Sequence, residues 1–106
     1  MPIAQQFAEK VHAYTRPRKQ GDNSRVRDLV DIALLIRAGL VDRQEISEAI
    51  NKTFLTYGTH PIPKRLTPPP EEWRPVYDDI VNTMRLPLPD INGAFKLLDE
   101  YWRSLA

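Results

Sequence analysis

Cysteine is absent from this sequence of 106 residues. The chain therefore cannot form a disulfide framework, a thiolate zinc site or a cysteine nucleophile, and the absence is typical of a protein of the reducing cytoplasm. Glycine is scarce, with four residues. The sequence contains no glycine-rich phosphate loop, no Gly-x-Ser-x-Gly elbow and no His-Glu-x-x-His pair, so the usual compact enzyme signatures are excluded.

The chain also lacks a strong charge of one sign and any long hydrophobic run. Fifteen basic and fourteen acidic residues give a net charge of +1, which argues against a protein that works by bulk attraction to nucleic acid or anionic membrane. The longest apolar stretch, around residues 32–36, is too short to span a bilayer, and the N-terminus lacks a signal pattern. We expect a cytoplasmic protein with no membrane partner.

What is present favours one soluble all-α domain over residues 1–106. Apolar residues make up 42% and charged residues 27% of the chain, as in ordinary globular proteins. Five segments repeat apolar residues at helical spacing, and none alternates for long enough to predict a strand. The predicted helices cover about residues 3–14, 23–38, 43–57 and 71–84, and a fifth starts near Asp90. The apolar stripe of the fourth helix is predicted to end at Met84. The sequence predicts a compact bundle of about five helices, with the second helix at its centre.

The helix ends carry local signals of their own. Asn23 or Ser24 is a suitable N-cap for the second helix, and Gly39 follows its last residue. Asp42 and Glu45 form the pattern of a capping box, with Val41 and Ile46 at the spacing of a hydrophobic staple.

Five of the ten prolines lie in residues 59–70. This composition predicts an extended segment close to polyproline II geometry. It could link two small units, but its apolar residues Ile62 and Leu66 favour a strap that lies over the helices, between the third and fourth.

Asp28 and Asp31 are three residues apart in the second helix, so their carboxylates occupy neighbouring positions on one face. They could hold a divalent metal, or one could act as a general base. They could equally stabilise the positive end of the helix or pair with Arg25 and Arg27. Lys10 lies beside the apolar stripe of the first helix, where it could contact a nucleotide phosphate or be merely solvated.

Two further groups of residues are candidate sites. Basic residues cluster at positions 16, 18, 19, 25 and 27, which suggests an anionic ligand such as RNA, although the near-neutral net charge counts against a dedicated nucleic-acid binder. His12 and His60 are the only histidines, so a histidine metal site would need carboxylate ligands as well. We expect each histidine to be a surface or packing residue.

The helix that contains Ala8, Glu9 and Lys10, followed by a basic loop and the segment 24–31, resembles two successive motifs of the AbiEii/AbiGii-type nucleotidyltransferase toxins. In that family an Ala-Glu-Lys helix precedes an Arg-x-Lys-Asp-x-x-Asp helix, and here Arg27 replaces the usual lysine. The similarity continues to about residue 84 through Phe54, the run 58–63, Pro70, Trp73 and Tyr77.

The resemblance implies a role in a bacterial toxin-antitoxin or abortive-infection system, with magnesium-dependent transfer of a nucleotide from a nucleoside triphosphate to an RNA or protein acceptor. By this analogy Lys10 contacts the nucleotide, Asp28 is the catalytic carboxylate and base, and Asp31 and Arg27 support them. It implies no metal ligands and no cofactor for this chain alone.

The same resemblance identifies motifs that are missing. The family carries a Gly-Ser or Gly-Gly-Thr motif and an Asp-x-Asp metal pair on a sheet before the Ala-Glu-Lys helix, and this sequence contains neither. We therefore expect the helical C-terminal part of such an enzyme, inactive alone, with a catalytic-half or antitoxin protein as partner. The alternative is a non-enzymatic interaction domain, antitoxin-like or regulatory. Loss of the sheet would uncover apolar surface on the first two helices, which predicts a homodimer.

Overall fold

The computed structural model describes residues 2–16, 25–39 and 42–105. Within these ranges the chain forms helices and no strand, which confirms the all-α prediction. The helices are α1 (Ile3–Thr15), α2 (Val26–Ala38), α3 (Arg43–Tyr57), α4 (Arg74–Met84) and α5 (Ile91–Ser104). None of them combines the length and the apolar character that crossing a membrane requires.

Short polar residues and glycines set the helix ends, largely as the sequence indicates. The Asp42 carboxylate accepts a hydrogen bond from the Glu45 backbone N–H at 3.0 Å, and Asp90 caps α5 in the same way. Gly39 and Gly58 end α2 and α3 with φ of 67° and 59°, a left-handed conformation that costs glycine little. The predicted cap at Asn23 or Ser24 and the staple residue Val41 lie outside the described residues.

The start of α4 differs from the prediction. Residues Glu71–Trp73 form a 3₁₀ turn, and the α-helix begins only at Arg74. Pro75 has no N–H to donate to the Glu71 carbonyl, so the Arg74 N–H bonds that carbonyl in the tighter 3₁₀ pattern instead. Met84, predicted on the buried stripe of this helix, is 57% exposed.

One apolar core joins the helices, and α2 lies at its centre, as predicted. This helix packs against α1, α4 and α5, while α3 packs against α1. Its buried residues occupy more than one stripe because it has neighbours on several sides. They are Val26, Leu29, Val30, Ile32 and Ala33.

Residues 59–70, here called the strap, form no helix or strand, bend at residues 59–60 and 64–65, and lie against α1 and α5. Leu66 is buried, whereas Ile62 is 39% exposed, so Leu66 is the residue that packs the strap onto the core. Two backbone carbonyls of the strap also accept hydrogen bonds from helix side chains. The Tyr14 hydroxyl donates to the Thr67 carbonyl at 2.8 Å, and the Trp102 indole N–H donates to the Pro63 carbonyl at 3.1 Å.

Candidate functional site

The packing of α1 against α2 brings together three of the four predicted site residues. The Lys10 ammonium lies 3.0 Å from an Asp31 carboxylate oxygen and 3.6 Å from one of Asp28. The spacing of three residues places both carboxylates on the α2 face that meets α1 at this point. The two sequence motifs, one on each helix, therefore meet in space.

The two carboxylates differ in their surroundings. The side chain of Asp28 is 14% exposed, whereas those of Asp31 and Lys10 are 38% and 39% exposed. Burial raises the pKa of Asp28 above its ordinary value, against the opposing attraction of Lys10 and Arg25. The pKa of Lys10 is also raised, chiefly by its hydrogen bond to Asp31. The site thus holds a fixed cation beside one sheltered, unusually basic carboxyl group.

Arg27, the fourth predicted residue, does not join this cluster. It is exposed on α2 and forms no ion pair with Asp28 or Asp31. The positive charge of Arg25, at the N-cap of α2, acts on Asp28 instead and lowers its pKa. The Nε of Arg25 is buried without a hydrogen-bond partner in the described part of the chain. Sequence spacing alone could not choose between these two arginines.

The described residues do not provide a complete magnesium site. Magnesium takes an octahedral set of oxygen ligands, and Asp28 and Asp31 share a lysine rather than a third acidic group. Across residues 2–16, 25–39 and 42–105, no three His, Asp or Glu side chains come together in a way that could hold a metal ion. A cation bound between Asp28 and Asp31 would have to displace the Lys10 ammonium.

The α2 face that carries the two aspartates continues into an apolar residue. Leu35 follows Asp28 by seven positions and Asp31 by four, which places it on the same side of the helix. The Leu35 side chain packs against the core but is only half-buried, so part of it stays accessible. The site is therefore bordered by apolar surface along α2.

The structure also forms a histidine cluster that the sequence analysis did not predict. The imidazole of His12 stacks on Tyr57 with ring centroids 4.4 Å apart and lies 4.8 Å from the ring of His60. Phe54 contacts both histidines edge-on. Burial lowers the pKa of each histidine, and the charge of Arg16 lowers both further. His12 is a packing residue, as expected, but the 48 positions between the two histidines gave no sign of their contact.

A chain of polar contacts beside this cluster links α1 to α3. The Tyr57 hydroxyl donates to Glu9 at 2.8 Å, and the Gln5 amide donates to both Glu9 and Thr53. Glu9, which belongs to the Ala-Glu-Lys motif, therefore positions α3 while its neighbour Lys10 faces α2. Adjacent residues on a helix point in different directions, so one motif serves two contacts.

Comparison with known proteins gives one family match. The model of the family described as "Nucleotidyl transferase AbiEii toxin, Type IV TA system" matches residues 1–104. No curated relative and no solved structure is significantly similar to the chain. The match covers both motif helices and everything downstream of them to the end of α5. The chain belongs to the AbiEii nucleotidyl transferase toxin family.

Proposed function

We propose that this chain is the helical part of an AbiEii-like nucleotidyltransferase of a bacterial toxin-antitoxin or abortive-infection system. In this proposal Lys10 contacts a phosphate of the nucleoside triphosphate, and Asp28 is the base that accepts the proton of the attacking hydroxyl. Asp31 holds Lys10 in place. Arg27 is assigned a supporting role in nucleotide binding from its exposed position on α2.

The observation that carries the proposal is the distance of 3.0 to 3.6 Å between the Lys10 ammonium and the two carboxylates. A cation that is fixed beside a sheltered carboxyl suits phosphoryl chemistry, because the phosphate needs a positive partner and the hydroxyl needs a proton acceptor. Burial that raises the pKa of Asp28 makes it a better acceptor than an ordinary surface aspartate.

We further propose that the chain does not catalyse the reaction by itself. The Lys10 ammonium occupies the position between Asp28 and Asp31, and the sequence has no Asp-x-Asp pair that could supply metal ligands elsewhere. A partner that supplies these ligands would complete the site. The half-buried Leu35, on the same face as the aspartates, offers that partner an apolar contact.

The test is label transfer from nucleoside triphosphates to total bacterial RNA and protein in the presence of magnesium. The purified chain is assayed alone and together with the proteins encoded beside it. Transfer only in the mixture is the expected result and would establish a split enzyme. Transfer by the chain alone would overturn the claim that it is incomplete, and no transfer in either case would count against the enzymatic proposal.

Matched variants connect the activity to the site. Asp28→Asn should lower transfer by about 10²- to 10⁴-fold, as expected for the loss of a general base. Asp79, an exposed aspartate on α4, provides the control, and Asp79→Asn should leave transfer unchanged. Equal losses in the two variants would contradict the assignment of Asp28.

The second candidate is a non-enzymatic interaction domain of a toxin-antitoxin system, either antitoxin-like or regulatory. The observation that favours it is that Lys10 neutralises both aspartates internally, an arrangement that can stabilise the α1–α2 contact without any substrate. It predicts a complex with a neighbouring protein that persists in a Lys10→Gln variant and transfers no label. Loss of transfer with retention of the complex in this variant would favour the enzyme instead.

A further inference from the structure

A second basic surface lies between the C-terminal end of α1 and the strap and includes no residue of the Lys10 site. It is a groove of about 520 Å³. Its basic lining residues are Arg16, His60 and Arg65, and the hydroxyl-bearing Tyr14, Thr15 and Thr67 also line it. Of the described residues that line the groove, none is acidic. In a chain with a net charge of +1, this separation of charge favours an anionic ligand.

Arg16 and Arg65 both have N–H groups available to donate hydrogen bonds to a ligand in the groove. Arg16 is exposed and forms no ion pair with another described residue, yet its charge lowers the pKa of His60. Its field therefore acts across the groove. Arg65 is 62% exposed and binds Asp99 through Nη2 alone, at 3.3 Å from each carboxylate oxygen. This arrangement orients the guanidinium and leaves Nε and Nη1 without a partner among the described residues.

The ring of His60 is held at the wall of the groove by a directional hydrogen bond. The Thr15 hydroxyl already donates its hydrogen to the Val11 carbonyl at 2.9 Å. It therefore accepts from His60 Nε2 at 2.8 Å. This tautomer leaves Nδ1 with a lone pair, and that nitrogen is buried without a partner within the described ranges.

We propose that this groove binds the phosphate group of a nucleotide or of an oligonucleotide chain, with Arg16 and Arg65 as the charged donors. Arginine suits this role because its planar guanidinium presents paired N–H donors to phosphate oxygens. The groove is separate from the Lys10 site, so the inference does not depend on the proposed transferase activity.

The experiment is an NMR titration of the full chain with inorganic phosphate, adenosine monophosphate and a single-stranded hexauridylate. Bound phosphate should move the imidazole signals of His60 and raise its pKa by about 1, because a nearby anion favours the protonated ring. Arg16→Gln should weaken binding about tenfold, the loss expected for one charge-assisted hydrogen bond. Lys96, an exposed lysine on α5, is the control, and Lys96→Gln should change the affinity by less than about twofold.

The three probes distinguish the source of the phosphate. Equal affinities for all three probes mean that the groove recognises the phosphate group alone. Tighter binding of adenosine monophosphate indicates a nucleotide ligand, and tighter binding of the hexauridylate indicates an oligonucleotide chain. The proposal is overturned if no probe moves the His60 signals, if the probes move only signals around Lys10, or if the two variants lose affinity equally. Circular dichroism of Arg16→Gln separates loss of binding from loss of fold.

Discussion

Burial and the charge of Lys10 shift the pKa of Asp28 in opposite directions, and burial has the larger effect. Its pKa is raised by desolvation although Lys10 lies 3.6 Å away. A carboxyl with a higher pKa in the folded than in the unfolded state binds its proton more tightly when folded, so its ionisation destabilises the fold as pH rises through the folded pKa. At neutral pH the charge on Asp28 thus costs stability, as is common for residues kept for function.

Asp28→Asn should therefore raise the free energy of unfolding at pH 7. Its advantage over the wild type should shrink as the pH falls towards 3.8, the ordinary value for an aspartate, because the wild-type carboxyl is then protonated. Urea unfolding at several pH values measures both effects. Asp79→Asn is the surface control, and a loss of stability in Asp28→Asn at pH 7 would show that the ion pair outweighs burial.

Single residues were predictable where their effect is local. Asp42, Gly39 and Gly58 act on the backbone within one helical turn, so their roles could be predicted from sequence order alone. Met84 was assigned wrongly, and the exposure of Ile62 could not be predicted, because the burial of each depends on which element lies opposite it. Helical spacing cannot supply that information.

Helices α1 and α3 and the strap together enclose His12 and His60 in an aromatic cluster. Burial lowers the pKa of both rings below 6.5, so each ring is neutral in the fold at neutral pH. A histidine with a depressed pKa contributes stability that is present above its unfolded value and is lost as the pH falls through the folded value. This cluster ties the stability of the α1–α3 contact to pH.

We expect the free energy of unfolding to decrease as the pH falls below 6.5. His60→Gln should make this decrease smaller, because glutamine can still donate to Thr15 but does not gain a proton in this range. Denaturant unfolding between pH 7 and pH 5.5 measures the difference between the two proteins. Imidazole titration by NMR gives an independent check, and a ring that titrates above 6.5 in the folded chain would contradict the prediction.

The helices themselves followed from the sequence, but the contacts between them followed only in part. Lys10 and the two aspartates were assigned to one site because of a family resemblance, and their convergence depends on how α1 packs against α2. The meeting of His12 with His60 depends on the return of the strap over α1. Neither contact is encoded by spacing along one helix, which explains why the sequence suggested the first only by analogy and missed the second.

At the scale of the whole molecule, the homodimer remains a prediction, and few apolar side chains are available for its interface on α1 and α2. Among the described residues, the most exposed large apolar side chain is Leu55 on α3, at 84%, rather than a residue of α1 or α2. On α2 the half-buried residues Leu34, Leu35 and Ile36 remain as apolar contacts. A dimer through α1 and α2 would have to use these side chains and would cover the Lys10 site.

Light scattering at high protein concentration should show twice the monomer mass. Leu35→Glu should return the protein to a monomer, because a charge in an apolar interface is costly. Leu55→Glu is the matched control on α3 and should leave the mass unchanged, with circular dichroism to confirm that both variants fold. A monomeric wild type, or a dimer broken only by Leu55→Glu, would contradict an interface on α1 and α2.

The way the strap is attached to the helices lets it open locally at a lower free energy than global unfolding requires. Within this described segment, residues 59–69 have no hydrogen bond between two of their own backbone groups. The segment is held by side chains of α1 and α5 and by the burial of Leu66. Such a segment can detach while the helices stay folded. The Trp102 indole hydrogen would then exchange with solvent earlier than the amides of α2, and the groove that carries Arg16 would lose one wall each time the strap lifts.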